Sequence, residues 1–153
     1  MFSKELQEKL VRIAMEEAEK AIQRGDDPFG GLIVDREGNI IAKAGNQENT
    51  EQNPSSHAEM VAIREACKAL GKKDLTGYIS VCNAESCPMC ASALILSGIR
   101  EFYCGTSMEP FCNPYLRMKE VADRAQTEIT LIEGILYDEC TEQVRRGRTI
   151  RSN

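Results

Sequence analysis

The sequence predicts an α/β sandwich with a mixed sheet of five strands. Short apolar segments alternate with helical patterns along most of the chain, and a tight turn over 35–39 joins the first two of these segments. Alternating strands and helices favour parallel strands with helices packed on the sheet, whereas a tight turn joins antiparallel strands. We therefore expect an antiparallel hairpin at the start and parallel pairing later. The length of 153 residues fits a single domain, 1–153.

Each predicted element follows from the period of its apolar residues. Apolar side chains every three to four residues, with charged ones between them, indicate amphipathic helices. Short apolar runs bounded by turn residues indicate strands. In chain order the elements are helix 3–24, strand 32–34, strand 40–44, helix 57–70, strand 78–82, helix 88–96, strand 101–104, helix 115–125, strand 129–132 and helix 137–146.

Residues at the element boundaries support these limits. Gly25 follows the first helical pattern and is expected to end it. Ser55 or Ser56 is expected to cap the helix that comes next to them in the chain. Pro88 suits the first turn of a helix, where no hydrogen bond needs its missing N–H. The segment 105–114 shows no period and is expected to be an irregular loop.

The charge balance disfavours nucleic acid as a partner. The formal net charge is −5, whereas nucleic-acid binding surfaces are usually basic. The one dense basic cluster, 145–148 with Arg151, is interpreted as a solvated helix end. No apolar run reaches the roughly 20 residues of a membrane span, and the polar N-terminus lacks the apolar core of a signal peptide. We expect a cytoplasmic protein that acts on a small molecule.

Two short motifs about thirty residues apart can form one metal site. His57 is the only histidine in the chain, and Cys87 and Cys90 have metal-chelating spacing. A Cys-x-x-Cys pair at a helix start places both sulfurs on one turn, where the helix dipole favours thiolates. Three protein ligands leave one zinc position for water, which is typical of catalytic zinc. Glu59, two residues after His57, is expected to carry protons between that water and the substrate.

Other interpretations of the same residues stay open at this point. A Cys-x-x-Cys pair also occurs as a redox dithiol, although the preceding sequence lacks a thioredoxin-type βαβ opening. A structural zinc site needs a fourth protein ligand, and most of the other cysteines fall in strand or helix patterns. A Cys–His hydrolase would leave the second cysteine unexplained. Glu59 alone is also compatible with a solvated helix carboxylate.

The seven cysteines show no disulfide framework. An odd number without regular spacing, in a chain with no predicted secretory signal, indicates reduced thiols. Four of those outside the metal motif fall in apolar patterns and are expected to pack in the core: Cys67, Cys82, Cys104 and Cys140. Cys112 falls in the predicted 105–114 loop and is given no role.

The two motifs resemble the H-x-E…P-C-x-x-C signature of zinc deaminases that act on cytosine, guanine or adenine rings. This chain has His57-Ala58-Glu59 and Glu85-Ser86-Cys87-Pro88-Met89-Cys90, so Ser86 replaces the proline of the signature. The resemblance extends from about residue 10 to 145. It implies a cytidine deaminase-like fold, which is a three-layer α/β/α sandwich with a mixed five-stranded sheet. Such enzymes usually form homodimers.

The resemblance also implies roles for particular residues. The implied Zn²⁺ ligands are His57, Cys87 and Cys90, and the implied catalytic proton carrier is Glu59. The implied substrate-binding residues are Asn46, Phe29 and Ala58. Asn46 stands in a family-like Gly45-Asn46 pair, and Phe29 stands in a family-like stretch over 28–31 that leads into the first strand.

Different segments of the chain look like deaminases with different substrates. Residues 28–30 and 63–71 look like guanine deaminases and small-molecule nucleoside deaminases, whereas 133–140 looks like tRNA adenosine deaminases. The negative net charge favours a free nucleobase or nucleoside, so we prefer a guanine-like substrate and keep a cytosine-like one open. Deamination of adenosine in tRNA is the alternative enzyme hypothesis. The non-enzyme hypothesis is a zinc-bound deaminase fold that only binds its ligand.

Overall fold

The computed structural model describes residues 1–108, 111 and 116–152, with side chains described as far as Thr149. Its elements in chain order are α1 (Lys4–Arg24), β1 (Gly30–Val34), β2 (Ile40–Gly45), α2 (Glu48–Glu51), α3 (Ala58–Leu70), β3 (Ile79–Ala84), α4 (Pro88–Leu96), β4 (Glu101–Thr106), α5 (Met118–Arg124), β5 (Thr130–Ile132) and α6 (Tyr137–Ser152). None of the described helices is long and apolar enough to cross a membrane.

The strands form one mixed sheet in the order β2-β1-β3-β4-β5. β1 pairs antiparallel with both β2 and β3, while β3, β4 and β5 pair in parallel. α1 and α6 pack on one face through a core that includes Leu10, Val11 and Cys140. α3, α4 and α5 cover the other face through a core that includes Ala62 and Leu94. The predicted three-layer α/β/α sandwich with a mixed five-stranded sheet is confirmed.

Two glycines allow α1 to lie directly against the face of the sheet where β1 begins and β2 ends. A Cβ atom on Gly30 would fall 1.9 Å from the carbonyl oxygen of Ala14 and 2.7 Å from the backbone nitrogen of Ala18. Gly30 is paired across the strands with Gly45, whose Cβ would fall 2.6 Å from the Glu17 carbonyl oxygen. The backbone of β1 therefore touches the backbone of α1, which fixes the start of β1.

The structure corrects several predicted boundaries. A short helix, α2, lies between β2 and α3, where the sequence predicts no helix, and α5 is shorter than the predicted 115–125. His57, and not Ser55 or Ser56, is the N-cap residue of α3. Both serines instead form hydrogen bonds to residues that precede them in the chain. The Ser56 hydroxyl donates to the Glu51 carboxylate, and the backbone N–H and hydroxyl of Ser55 donate to the side chain of Asn53.

The cysteines outside the metal motif largely follow the prediction. Cys82, Cys104 and Cys140 are buried, whereas Cys67 on α3 is only partly buried. Burial raises the pKa of the Cys82, Cys104 and Cys140 thiols, so these side chains stay neutral. Cys112, and Glu109 within the predicted 105–114 loop, lie outside the described residues.

Candidate active site

The predicted metal ligands meet where two helices begin. His57 and Cys87 are the N-cap residues of α3 and α4, and both have extended backbone conformations. Pro88 occupies the first turn of α4, as the sequence predicts, and Cys90 lies in the same turn. Because the N–H groups of a helix's first turn have no partners within the helix, they favour negative charge on the two sulfurs.

The three side chains have the spacing of a tetrahedral zinc site. The Nδ1 atom of His57 lies 3.5 Å from the Sγ atom of Cys87 and 3.4 Å from that of Cys90. The three donor atoms all lie within 4.8 Å of one another. Zn–N bonds of about 2.0–2.1 Å and Zn–S bonds of about 2.3 Å at tetrahedral angles place nitrogen and sulfur about 3.5 Å apart. The residues therefore fit a zinc ion with three protein ligands.

Protons and metal compete for these donor atoms. The hydrogen bond from Cys90, together with His57, lowers the pKa of Cys87 to about 4. The hydrogen bond with Cys87 raises the pKa of His57 to about 9. The neighbouring Cys87 sulfur and burial together raise the pKa of Cys90. Without metal, the site is thus a Cys87 thiolate paired with protonated His57 and a neutral Cys90 thiol.

Glu59 lies in the first turn of α3, beside the ligands. It is only 7% exposed, and it borders the same cavity as His57 and Cys87. Burial, and then the negative charge of Cys87, raise the pKa of its carboxyl group, which a hydrogen bond from the Ser86 side chain partly offsets. A carboxylate in this position accepts a proton more readily than an exposed one, which suits a proton carrier.

One cavity of about 250 Å³ opens onto these residues. Asn46 and Phe29, predicted to bind substrate, both line it. Ala58 is fully buried behind the wall, at the first position of α3, and its contact with substrate stays a prediction. Cys90 is also fully buried, so the metal position lies at the bottom of the cavity.

The cavity wall contains residues that the sequence did not predict, namely Asp27, Glu48, Asn83, Glu85, Met108 and Arg148. Arg148 belongs to the basic cluster interpreted as a solvated helix end, and that interpretation is wrong for this residue. Its guanidinium carbon lies 5.8 Å from the ring centroids of both Phe29 and Phe111. Gly147 lets α6 approach so closely, because a Cβ there would fall 2.4 Å from the Pro28 Cβ.

An ion pair supports the loop in which Ser86 replaces the signature proline. The Glu85 side chain is fully buried, and the Arg117 Nε atom lies 3.2 and 3.0 Å from its two carboxylate oxygens. The Nη2 atom of Arg117 also donates to Glu133, at 2.6 Å. These contacts fix the residue before Ser86, so the loop that carries Cys87 does not depend on a proline for its position.

Comparison with known proteins gives a consistent picture of this site. The family model of the cytidine and deoxycytidylate deaminase zinc-binding region matches residues 4–106. A tRNA-specific adenosine deaminase of Bacillus subtilis is 39% identical over 129 residues, which are 83% of this chain and 79% of that protein. A guanine deaminase of the same organism is 46% identical over 67 residues, 44% of this chain and 42% of that protein.

Comparison of the fold with solved structures agrees with the sequence comparison. A solved structure from a study of A-to-I editing by tRNA:A34 deaminases at the wobble position of transfer RNA superposes with a TM-score of 0.80. It is 28% identical to this chain, and the match covers 88% of this chain and 98% of the other.

Proposed function

Because this chain belongs to the cytidine and deoxycytidylate deaminase zinc-binding family, we propose that it converts adenosine in a tRNA loop to inosine. The observation that carries the proposal is the meeting of His57, Cys87 and Cys90 beside the buried Glu59 at a single cavity. The similarity to the tRNA-specific adenosine deaminase along most of the chain supports adenosine as the base. This order reverses the sequence-based preference, which put a guanine-like ring first and nucleic acid as an unlikely partner.

The chain's own contribution to the reaction is proton transfer. When bound, zinc activates a water molecule as the nucleophile. Glu59 takes a proton from that water and passes it to the ring nitrogen next to the amine-bearing carbon, and then transfers the second proton to the departing amine. A C–O bond forms and the C–N bond breaks, so one water is consumed and one ammonia is released. The burial of Glu59 keeps these protons away from bulk solvent.

The size of the cavity limits how much of a nucleic acid can enter it. A volume of about 250 Å³ is below the roughly 300–1,000 Å³ of pockets that hold drug-sized ligands. It suits a single base, so a nucleotide in a loop must be turned out of its stack to enter. Phe29 in the cavity wall offers an aromatic face to that base, and Asn46 offers an amide.

A free guanine-like base is the second candidate, because the charges of the structure favour it. The chain carries a net charge of −5, and two arginines of the basic cluster are already paired. Arg145 contacts Glu142 at 3.3 Å, and Arg146 contacts Glu19 at 2.6 Å. Paired arginines contribute less to phosphate binding, which is driven by uncompensated positive charge.

A substrate panel separates the two candidates. Zinc-loaded protein is incubated with an RNA hairpin that carries adenosine in its loop, and separately with guanine, cytosine and adenosine, while ammonia is measured. We expect ammonia from the hairpin and inosine in the recovered RNA. Ammonia from guanine alone would favour the second candidate. No ammonia from any of these substrates, at one zinc per chain, would contradict the proposed function.

Glu59→Gln tests the proton carrier. We expect kcat to fall by about 10²–10⁴-fold, the usual contribution of general acid–base catalysis, while zinc stays bound because Glu59 is not a ligand. Glu65→Gln is the matched control, since Glu65 lies on the same helix with an exposed side chain, outside the cavity wall, where it forms an ion pair of 4.0 Å with Lys68. Retained turnover in Glu59→Gln would refute this role.

A further inference from the structure

The carboxylate of Glu48 contacts the metal ligand His57 from the side opposite the sulfurs. Its Oε1 atom lies 3.0 Å from the His57 Nε2 atom, whereas the Nδ1 atom of the same ring faces Cys87 and Cys90. We propose that Glu48 is a positioning residue for zinc binding. It holds the proton of neutral His57 on Nε2, so that Nδ1 presents its lone pair to the metal. The inference rests on the zinc site of the proposed function.

Asn46 holds Glu48 in this position from two sides. The Asn46 Nδ2 atom donates to the Glu48 Oε1 atom at 2.8 Å, and the Glu48 backbone N–H donates to Asn46 Oδ1 at 3.0 Å. Asn46 is 1% exposed, so water competes little for these bonds. Because an asparagine amide has two N–H groups, the second remains able to donate to a base in the cavity. Asn46 thus connects the substrate cavity to the metal ligand.

The loop that carries both residues is fastened to the end of α1. The buried carboxylate of Asp26 accepts hydrogen bonds from the backbone N–H and the hydroxyl of Thr50, at 2.9 and 2.6 Å. The Nη2 atom of Arg24 donates to the Asn46 carbonyl oxygen at 2.9 Å, and its Nε atom pairs with Asp26. A loop fixed in this way loses little additional conformational freedom when Glu48 contacts His57, so the contact orients the ring effectively.

A surface ion pair with no orienting role could show the same distance between His57 and Glu48, but its removal would have a different effect on zinc affinity. Exposed pairs contribute about 0–1 kcal/mol and would leave zinc affinity unchanged. The side chains of His57 and Glu48 are 29% and 26% exposed, and Glu48 Oε1 accepts from both Asn46 and His57. If Glu48 orients the ligand, its removal must weaken zinc binding, because outer carboxylates of metal-bound histidines typically contribute 10–100-fold to affinity.

Zinc affinity is the first test, measured by competition with a chromophoric chelator. We expect Glu48→Ala to weaken zinc binding by about 10–100-fold. Glu48→Gln should have a smaller effect, because its amide oxygen can accept the same N–H while lacking the charge. Glu65→Gln, which removes a carboxylate from α3 far from the ring, should bind zinc as the unchanged protein does. Equal zinc affinity in all four proteins would overturn the proposal.

The single histidine allows a direct spectroscopic test that a merely structural role would not affect. In zinc-loaded protein with ¹⁵N-labelled histidine, we expect one ring N–H, on Nε2, whose exchange with solvent is slow. In Glu48→Ala that proton should exchange faster and shift, whereas in Glu65→Gln it should not. Identical ring signals in Glu48→Ala and the unchanged protein would overturn the proposal. Neither test needs a substrate, so both remain decisive if the deamination assay fails.

Discussion

The contact between α1 and β1 predicts that alanine substitutions at two neighbouring glycines have very different effects on stability. A Cβ added at Gly30 would fall 1.9 Å from the Ala14 carbonyl oxygen and 2.7 Å from the Ala18 nitrogen, so α1 or β1 would have to move. Both obstacles are backbone atoms, which cannot rotate away. A Cβ added at Gly31 would meet nothing closer than the Cys82 sulfur at 3.4 Å, which is an ordinary contact.

The expected magnitudes follow from these distances. Overpacking usually lowers the free energy of unfolding by about 1–3 kcal/mol, and we expect Gly30→Ala to reach the upper end because it moves a helix. For a chain of this size each kcal/mol lowers Tm by about 2–4 °C, which gives a decrease of about 6–12 °C. Gly31→Ala should change stability by less than about 1 kcal/mol, since the loss of unfolded-state freedom favours alanine at an unstrained position.

Thermal and urea denaturation of the two variants provide the assay. Both substitutions add one methyl group to the same strand, so each is the control for the other. The Gly30→Ala displacement would also reach the cavity, because the Gly30 N–H donates to Asn83 at 3.0 Å and Phe29 precedes it. Equal stability of the two variants, or a larger loss in Gly31→Ala, would refute the close packing of α1 on β1.

Two further predictions concern the metal loops. At pH values below about 9, zinc must displace a proton from His57, whose pKa is about 9, and one from Cys90, whose pKa is raised. Zinc affinity should therefore rise by up to about 100-fold per pH unit, since two protons are displaced. Zinc titrations in several buffers should show the release of about two protons per zinc bound. Release of no protons would contradict this prediction. Arg117→Met removes the guanidinium from the buried carboxylate of Glu85. It should lower the free energy of unfolding by about 3 kcal/mol, near the low end for breaking a buried ion pair. A free energy from urea denaturation within about 0.5 kcal/mol of that of the unchanged protein, roughly the scatter of neutral surface substitutions, would contradict this prediction.

The α/β sandwich, with its antiparallel hairpin at the start and parallel pairs later, could be predicted from the sequence because it follows from local apolar periods, whereas the three layers were implied by the resemblance to zinc deaminases. The tight turn indicates the antiparallel β1–β2 pair and the alternation of strands and helices indicates the parallel pairs, but neither predicts the antiparallel pairing of β1 with β3. The structure also brings together His57, Cys87 and Cys90, since both motifs begin helices and helix starts are recognisable from Pro88 and from the pattern that follows. Spacing within one turn of a helix is a local property, which sequence patterns describe well.

The rest of the site depends on distances that no local pattern contains. Glu48 contacts His57 from a segment that Thr50 and Asp26 bond to the end of α1. Arg148 reaches the cavity only because Gly147 lets α6 pack against Pro28. In the sequence both residues are ordinary charged side chains in polar stretches. Their roles in the site follow from tertiary packing.

The central claim is that one zinc ion is held by three side chains, two of them cysteines, beside Glu59. X-ray absorption at the zinc edge, on purified zinc-loaded protein, tests it most directly. We predict one zinc per chain with two sulfur neighbours at about 2.3 Å and two nitrogen or oxygen neighbours at about 2.0–2.1 Å. Three or four sulfur neighbours, or protein that cannot be loaded with one zinc per chain, would contradict the account.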